Sequence, residues 1–452
     1  MNHNAVETVL ARMRGFDQAP AVYWRGQVLT YADFFRQIDA WRGELAARGI
    51  GAGSICGVHG DYSPHSCSLI FALLSVGAVI VPFTVASGPE MGRMEQLSSL
   101  EGMFSFADDD SWTFEARTTV DTNDLIEDFR TRGLPGLIVF TSGSTGAPKG
   151  ILHDCERVMR KFVEERRGWR TILFLMMDHF GGFNTLVGTF AYGGMAVCSR
   201  SRTPEGICEA IQAAHAQLLP TTPTFLNLLM TSSTWQRFDL SSVELITYGT
   251  ELMPQATLAK LGAIFPNTRF KQTYGLSELG VLRSHSQGSH STWVKVGGDG
   301  FETKVLDGVL WIRSEASMVG YLNAPNPFES DGWFCTGDAV EQDGEFIRFV
   351  GRKSDVINVG GHKLLPIEVE EALLQADNVL EATVYAVDHP IMGQVPCARV
   401  TLREPEDAER LTARLRAHCR ERLAKFKVPM RIVAVDALEQ RTERHKKVRH
   451  AR

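Results

Sequence analysis

Runs of strand length alternate with helical patterns through the first half of the chain, and this alternation limits the fold more than any other feature. In "TYADFFRQIDAWRGELAARGI" (Thr30 to Ile50), Phe34, Ile38, Trp41 and Leu45 fall on one helical face, with Thr30 as a cap and Gly49 as a stop. "SICGVHG" then reads as a strand, "PHSCSLIFALLSVG" as a helix and "AVIVPF" as a strand. Further strands are expected at "GLIVFT", "TILFLM", "MAVCS", "AQLLPTT", "ELITYGT" and "FKQTYG". Such alternation implies an α/β fold with a largely parallel sheet.

From about residue 296 the pattern changes to short segments punctuated by glycine. D-G pairs at Asp307-Gly308 and Asp343-Gly344 mark β-hairpins, so a β-rich part is expected over about 296–350. The last hundred residues read as a separate small α+β unit: helix, two strands, helix and strand. We therefore expect a large N-terminal domain of α/β layers with a β-rich subdomain over 1–352, and a small C-terminal domain over 353–452.

With 452 residues, 44% of them apolar, the chain can bury the cores of two to three domains. A net charge of -6 argues against nucleic acid as a partner, since a basic stripe would be needed. No apolar run reaches the roughly 18 to 20 residues of a membrane span. The longest, Ser68 to Phe83, is broken by Gly77 and closed by Pro82, which gives a buried helix followed by a buried strand. The N-terminal residues lack the uninterrupted apolar region of a signal peptide, so the cytoplasm is the expected location. Eight cysteines are scattered without C-x-x-C or zinc-ligand spacing, as packing thiols would be.

The chemistry starts at "FTSGSTGAPKG" (Phe140 to Gly150), where an apolar strand runs into a loop rich in glycine and hydroxyls that ends in Lys149. Backbone N–H groups, hydroxyls and a cation together suit a polyphosphate. The common nucleotide loop G-x-x-x-x-G-K-[ST] is excluded, because it would need Gly at Pro148 and Ser or Thr at Gly150.

This loop resembles the phosphate loop of the acyl-adenylate-forming superfamily, which holds acyl-CoA synthetases, adenylation domains of peptide synthetases and luciferases. Four further motifs stand in that family's order: "YGTELMP" (Tyr248 to Pro254), "TYGLSE" (Thr273 to Glu278), "GWFCTGD" (Gly332 to Asp338) and "GRKSDVINVGGHKLLPIEVEE" (Gly351 to Glu371). A weaker sixth is "QRTERHKKVR" near the end. The resemblance implies ATP-dependent activation of a small carboxylic acid as acyl-AMP, with Mg2+ as the metal, followed by transfer to a nucleophile.

By resemblance, Thr141, Ser142, Gly143, Ser144 and Thr145 wrap the β- and γ-phosphates, and Lys149 supports the loop or its phosphates. Glu278 matches the magnesium-linked carboxylate. Thr273 donates to the α-phosphate; Gly249, Thr250 and Glu251 flank adenine; Tyr274 and Gly275 line the adenine and acyl sides. Asp338 matches the acceptor of both ribose hydroxyls and Arg352 adds to that grip. Lys446 fits the lysine that bridges the acyl carboxylate and the α-phosphate. His445 stands where the family usually has Gly, so Lys447 is the neighbouring alternative. Ser354, where Asp or Lys is commoner, matches the hinge of a mobile C-terminal domain, and "NVGGHK" (Asn358 to Lys363) would face the site during transfer.

"MMDHFGGFNTLVG" occupies the family's acyl-pocket helix, so His179, Phe180, Gly181 and Asn184 are expected in the pocket, with Gly181 and Gly182 leaving room for an acyl or aryl tail. Asp178 is one residue away from the register of the Asp that pairs with an α-amino group in amino-acid-activating relatives. The segment between Phe106 and Leu134 is shorter than is typical. Coenzyme A is the expected acceptor from the hinge region. Alternatives are a carrier-protein thiol, an amine, or activation of a small inorganic acid such as nitrite; a nucleotide-binding protein without activity would be expected to have lost Lys149, Glu278, Asp338 or Arg352, and all four are present.

Overall fold

Two seven-stranded sheets face each other across a shared layer of helices in this computed structural model, which describes residues 4–118, 123–142 and 147–436. The first runs in the order Arg269–Gln272, Leu245–Tyr248, Leu218–Thr221, Arg170–Ile172, Met195–Cys198, Pro20–Trp24 and Gln27–Thr30. All its pairs are parallel except the last. The second runs Gly320–Tyr321, Pro148–Asp154, Gly136–Ser142, Val79–Phe83, Ile55–His59, Gly102–Phe106 and Trp112–Ala116, parallel in the middle and antiparallel at both ends.

Residues alternate between two cores along these strands, because successive side chains leave a strand on opposite faces. Cys56, Val58, Ile80, Leu137, Val139 and Ile151 meet Val22 and Ala196 in the central core, with the helices Ala5–Arg14, Tyr31–Ala47, Pro64–Ser75 and Phe180–Ala191. Ile55, Val79, Val81, Ile138, Phe140 and Leu152 point the other way, into a core closed by the helices Met91–Leu97 and Asp124–Arg130. Ile172, Val197 and Ile246 build a third core, under the helices Pro204–Ala214, Pro223–Ser232 and Gln255–Ile264. Strands buried on both faces read as continuous apolar runs, as the sequence does here.

Local signals hold where they are strongest. Thr30 and Asp33 form a reciprocal capping box, and Phe34, Ile38, Trp41 and Leu45 are all buried on the face expected. The Asp307-Gly308 hairpin closes as a two-residue loop with both φ values positive, between Leu306 and Val309. The second hairpin differs by one residue: Asp343 pairs with Phe346, so the loop is Gly344-Glu345 and glycine takes its first position. "TILFLM" is strand only over Arg170–Ile172. The helix Ala5–Arg14, unmarked in the sequence reading, is held at its start by Glu156, whose Oε2 accepts from the Ala5 N–H at 2.7 Å.

A six-stranded antiparallel sheet spans residues 283–352, so it starts before residue 296, where the change of pattern was expected. A five-stranded sheet with the helices Pro366–Leu374 and Ala408–Arg422 forms its own core from Ile357 onward. Ala256 packs against that core, and Lys260 Nζ donates to the Leu374 carbonyl at 3.4 Å, joining this unit to the helix Gln255–Ile264.

Candidate active site

The motifs within the described residues meet around the carboxyl ends of the parallel strands Leu245–Tyr248 and Arg269–Gln272, the usual place for a ligand in such sheets, and "QRTERHKKVR" lies outside the described residues. Leu245–Tyr248 and Arg269–Gln272 lie side by side, so Gly249 and Thr273 leave their strands together. A Cβ on Gly249 would stand 2.5 Å from Thr273 Oγ1, a contact only glycine avoids. Thr250 follows with φ 68, an uncommon left-handed conformation for a β-branched residue. Thr273 Oγ1 donates to the Tyr248 carbonyl at 3.1 Å. Glu251 turns its carboxylate to the start of the helix Pro223–Ser232, accepting from Thr224 Oγ1 at 2.6 Å and from the Thr224 N–H at 3.3 Å. It is a favourable place for negative charge.

Tyr274, Asp338 and Arg352 form one cluster. Asp338 and Arg352 are directly opposed on the strands Phe334–Asp343 and Phe346–Arg352, and Arg352 Nε donates to Asp338 Oδ1 at 2.9 Å. The Tyr274 hydroxyl donates to Oδ2 at 2.6 Å, while its ring stacks on Phe349 with centroids 4.5 Å apart. Burial, with the Asp338 charge behind it, holds the Tyr274 hydroxyl protonated far above its ordinary range. Asp338 is 7% exposed, so the carboxylate is fixed in orientation with further acceptor capacity on each oxygen.

The hydroxyl-rich loop is the tip of a β-hairpin, since Gly136–Ser142 pairs antiparallel with Pro148–Asp154 and Thr141 opposes Lys149. Gly143, Ser144 and Thr145 lie outside the described residues, as do Lys446 and Lys447; Ser142 is described as strand backbone. Asn323 clamps the hairpin, accepting from the Gly150 N–H at 3.1 Å and donating to the Pro148 carbonyl at 2.9 Å. Lys149 Nζ lies 5.4 Å from the Tyr321 ring centroid, and the Tyr321 hydroxyl donates to Glu278 Oε1 at 2.7 Å. Tyr321 thus ties the hairpin to "TYGLSE". Sequence reasoning missed both residues, which stand in an unremarkable "GYLNAP" whose only signal is its place before "GWFCTGD".

His153 was missed as well. It is fully buried, its Nε2 lies 2.7 Å from the Ser277 carbonyl, and its ring packs on Phe180 at 4.6 Å. Burial pushes its pKa down to about 4, so the ring is neutral at pH 7 and Nε2 carries the proton.

The helix Phe180–Ala191 starts at His179, whose Nδ1 accepts from the Gly181 N–H at 3.1 Å as its cap. Phe180 is buried against Gly280. Asn184 Oδ1 accepts from Lys161 Nζ. Gly275 pairs with Val281, and a Cβ there would meet the Gly280 carbonyl at 2.7 Å. One expectation changes: Gly182 opens no space for a tail. A Cβ would lie 2.0 Å from the Met176 carbonyl oxygen and 2.7 Å from the Tyr62 hydroxyl, so close packing is what requires glycine there. Asp178 is buried and accepts from Thr84 Oγ1 at 2.9 Å. Ser354 lies exposed in the short turn Lys353–Asp355 between the last strand of the six-stranded sheet and the C-terminal unit.

The sequence profile of AMP-binding enzymes matches residues 10–111 and 107–322, and that of their C-terminal domain matches residues 368–446. The chain belongs to the AMP-binding enzyme family. This AMP-binding enzyme is 26% identical over 345 residues to a trans-cinnamate:CoA ligase of Petunia hybrida, across 67% of this chain and 59% of that protein, less than two thirds of the relative's length. It is 25% identical over 466 residues to the 2-succinylbenzoate–CoA ligase of Bacillus subtilis, across 92% of this chain and 91% of that one. Its fold matches that of an anthranilate CoA ligase solved with anthranoyl-AMP at a TM-score of 0.81, with 18% identity over 98% of this chain and 95% of the other. Among the described residues no helix of this AMP-binding enzyme is long and apolar enough to cross a membrane.

Proposed function

We propose that this enzyme activates a carboxylic acid with ATP and passes the acyl group to a thiol, that of coenzyme A. A carboxylate oxygen of the acid attacks the α-phosphorus of ATP, the bond to the β-phosphate oxygen breaks, and pyrophosphate leaves. The thiol gives up its proton to solvent, its sulfur attacks the acyl carbon, and the bond from that carbon to the phosphate oxygen breaks so that AMP departs with the electron pair. The observation that carries this reading is the fixed Asp338 carboxylate, backed by Tyr274 and Arg352 beside Thr273 and Gly249: a ready acceptor for two adjacent ribose hydroxyls. The coenzyme A ligases to which the chain is similar support the second step.

Each residue then has a task. Asp338 and Arg352 hold the ribose, and the backbone from Gly249 to Glu251 flanks adenine, with the Glu251 carboxylate holding that segment to its helix. Thr141 to Thr145 and Lys149 hold the terminal phosphates, Thr273 the α-phosphate. Lys446 supplies positive charge where the carboxylate meets the α-phosphate, so it acts on charge that develops in the transition state. The unit beyond Ser354 turns between the two half-reactions, the exposed turn absorbing the change.

Among the described residues no group of three or more His, Cys, Asp or Glu side chains could hold a metal, but Glu278 offers one carboxylate beside the hairpin. One carboxylate together with substrate phosphates and water is how Mg2+ is usually held, so the residues fit. When bound there, Mg2+ would offset charge on the triphosphate.

The test is pyrophosphate and AMP formation with a panel of aryl, medium-chain and amino acids, with and without coenzyme A. Acid-dependent AMP formation that rises with coenzyme A is expected. Pyrophosphate that stays stoichiometric with enzyme until a carrier protein or an amine is added would reassign the acceptor.

A further inference from the structure

We infer that Lys161 is the specificity-determining residue of the acyl pocket and that the acid carries a second carboxylate, which Lys161 Nζ binds. This rests on the proposed activation chemistry. Lys161 lies in the turn Arg160–Phe162, and its Nζ donates to Asn184 Oδ1 and to the Val281 carbonyl, the latter at 3.0 Å. Asn184 sits one turn beyond Phe180 on the same face of its helix, and Val281 pairs with Gly275. The ammonium group therefore stands where the acyl-pocket helix meets the short ladder that follows Thr273.

An ammonium has three donors, and two are met here by neutral oxygens. Among the described residues Lys161 forms no ion pair. The basic groups that act on it, Arg283 and Arg166, share the Glu164 carboxylate at 2.6 and 3.0 Å, and Arg283 also reaches Asp299 at 3.3 Å, so Glu164 and Asp299 are engaged elsewhere. Lys161 is half-buried, and a cation partly withdrawn from water without a counter-charge is costly. Burial, and then Arg283 and Arg166, pull the Lys161 pKa down to about 7, so near neutral pH the site is poised to take up a proton with an anion. An apolar pocket for a plain acyl tail would gain nothing from such a group. A second carboxylate supplies the missing charge and the third acceptor.

The experiment measures kcat/KM for acid-dependent pyrophosphate release on matched pairs: adipate against hexanoate, glutarate against pentanoate and isophthalate against benzoate. Wild type should prefer the dicarboxylate in at least one pair by about tenfold or more, as expected for a desolvated charge pair. Lys161→Met should collapse that preference by a similar factor, and Lys161→Arg should restore much of it. Preference for the monocarboxylates throughout, or an equal loss on both members of each pair in Lys161→Met, overturns the inference while leaving acid activation intact. Release with no acid at all breaks the activation reading and this one with it. If Lys161→Met does not fold, Lys161→Gln measured on the same pairs takes its place, and a diacid preference that Lys161→Gln leaves unchanged overturns the assignment to Lys161.

Discussion

The proposed nucleotide end and the proposed acyl end of the site are built in different ways. At the nucleotide end, Tyr274, Asp338 and Arg352 come from three short motifs, and their side chains engage one another directly. At the acyl end, the residues of one contiguous stretch do separate jobs: His179 caps a helix, Gly182 admits a carbonyl, and Asn184 accepts from a lysine outside the stretch. A ligand part that never varies can be gripped by fixed local motifs. A part that varies is met by side chains assembled across the fold, and their meaning appears only once the fold is known.

The largest expected effect falls on Lys446, the proposed charge partner of the carboxylate and the α-phosphate. Lys446→Ala should slow adenylation by about 10²- to 10³-fold, the cost of losing one preorganised charge partner of a transition state. Transfer to coenzyme A from supplied acyl-AMP should survive, and Lys447→Ala should leave adenylation near wild type. Pyrophosphate release and thioester formation, measured separately, check this; the reverse ranking of the two lysines would move the role to Lys447.

His153 joins the two ends, touching Phe180 on one side and the Ser277 carbonyl on the other. Its folded pKa of about 4 lies below the unfolded value of about 6.5. Between these values the unfolded chain binds a proton that the folded one refuses, so stability falls as pH drops from 6.5 towards 4 and is unaffected by this group above 7. The full loss from this group is on the order of 3 kcal/mol. His153→Asn should flatten that part of the denaturation profile while lowering stability by a constant amount; an unchanged acid slope would place the sensitivity elsewhere.

Much of this was legible from sequence, and for physical reasons. Strands buried on both faces announce themselves as runs such as "AVIVPF", and capped amphipathic helices as spaced apolar residues behind a Thr. Tyr274, Asp338 and Arg352 could each be singled out because each lies inside a motif, but the hydrogen bond that ties Tyr274 to Asp338 could not. Tyr321, Asn323, His153 and Lys161 were not legible, since each works through a partner 43 or more, 173 or more, 124 and 23 or more positions away. Glycines misled for a related reason: a missing side chain reads the same whether it makes room for a ligand or for backbone, and at Gly182 it is backbone.

Asp338→Ala should weaken ATP binding by about 10- to 100-fold, since hydrogen bonds to a charged acceptor are lost and the buried Tyr274 hydroxyl is left without its partner. The Michaelis constant for the acid should change little. Calorimetric titration with ATP checks the first point and saturation kinetics the second. A comparable rise for the acid would erase the separation between the two ends.

The smallest effect tests whether Tyr321 serves the nucleotide end at all. Its hydroxyl is kept protonated by burial and by the Glu278 charge, so it is a constant donor to that carboxylate. Tyr321→Phe removes the donor and keeps the ring beside Lys149, so about 1 kcal/mol is at stake. If Glu278 holds Mg2+, its carboxylate becomes less well oriented, and the Mg2+ concentration for half-maximal activity should rise severalfold. If Tyr321 only braces the hairpin, the melting temperature falls and the Mg2+ dependence stays where it was. The two outcomes differ in which curve moves, so even a modest change assigns Tyr321 to the metal or to the scaffold.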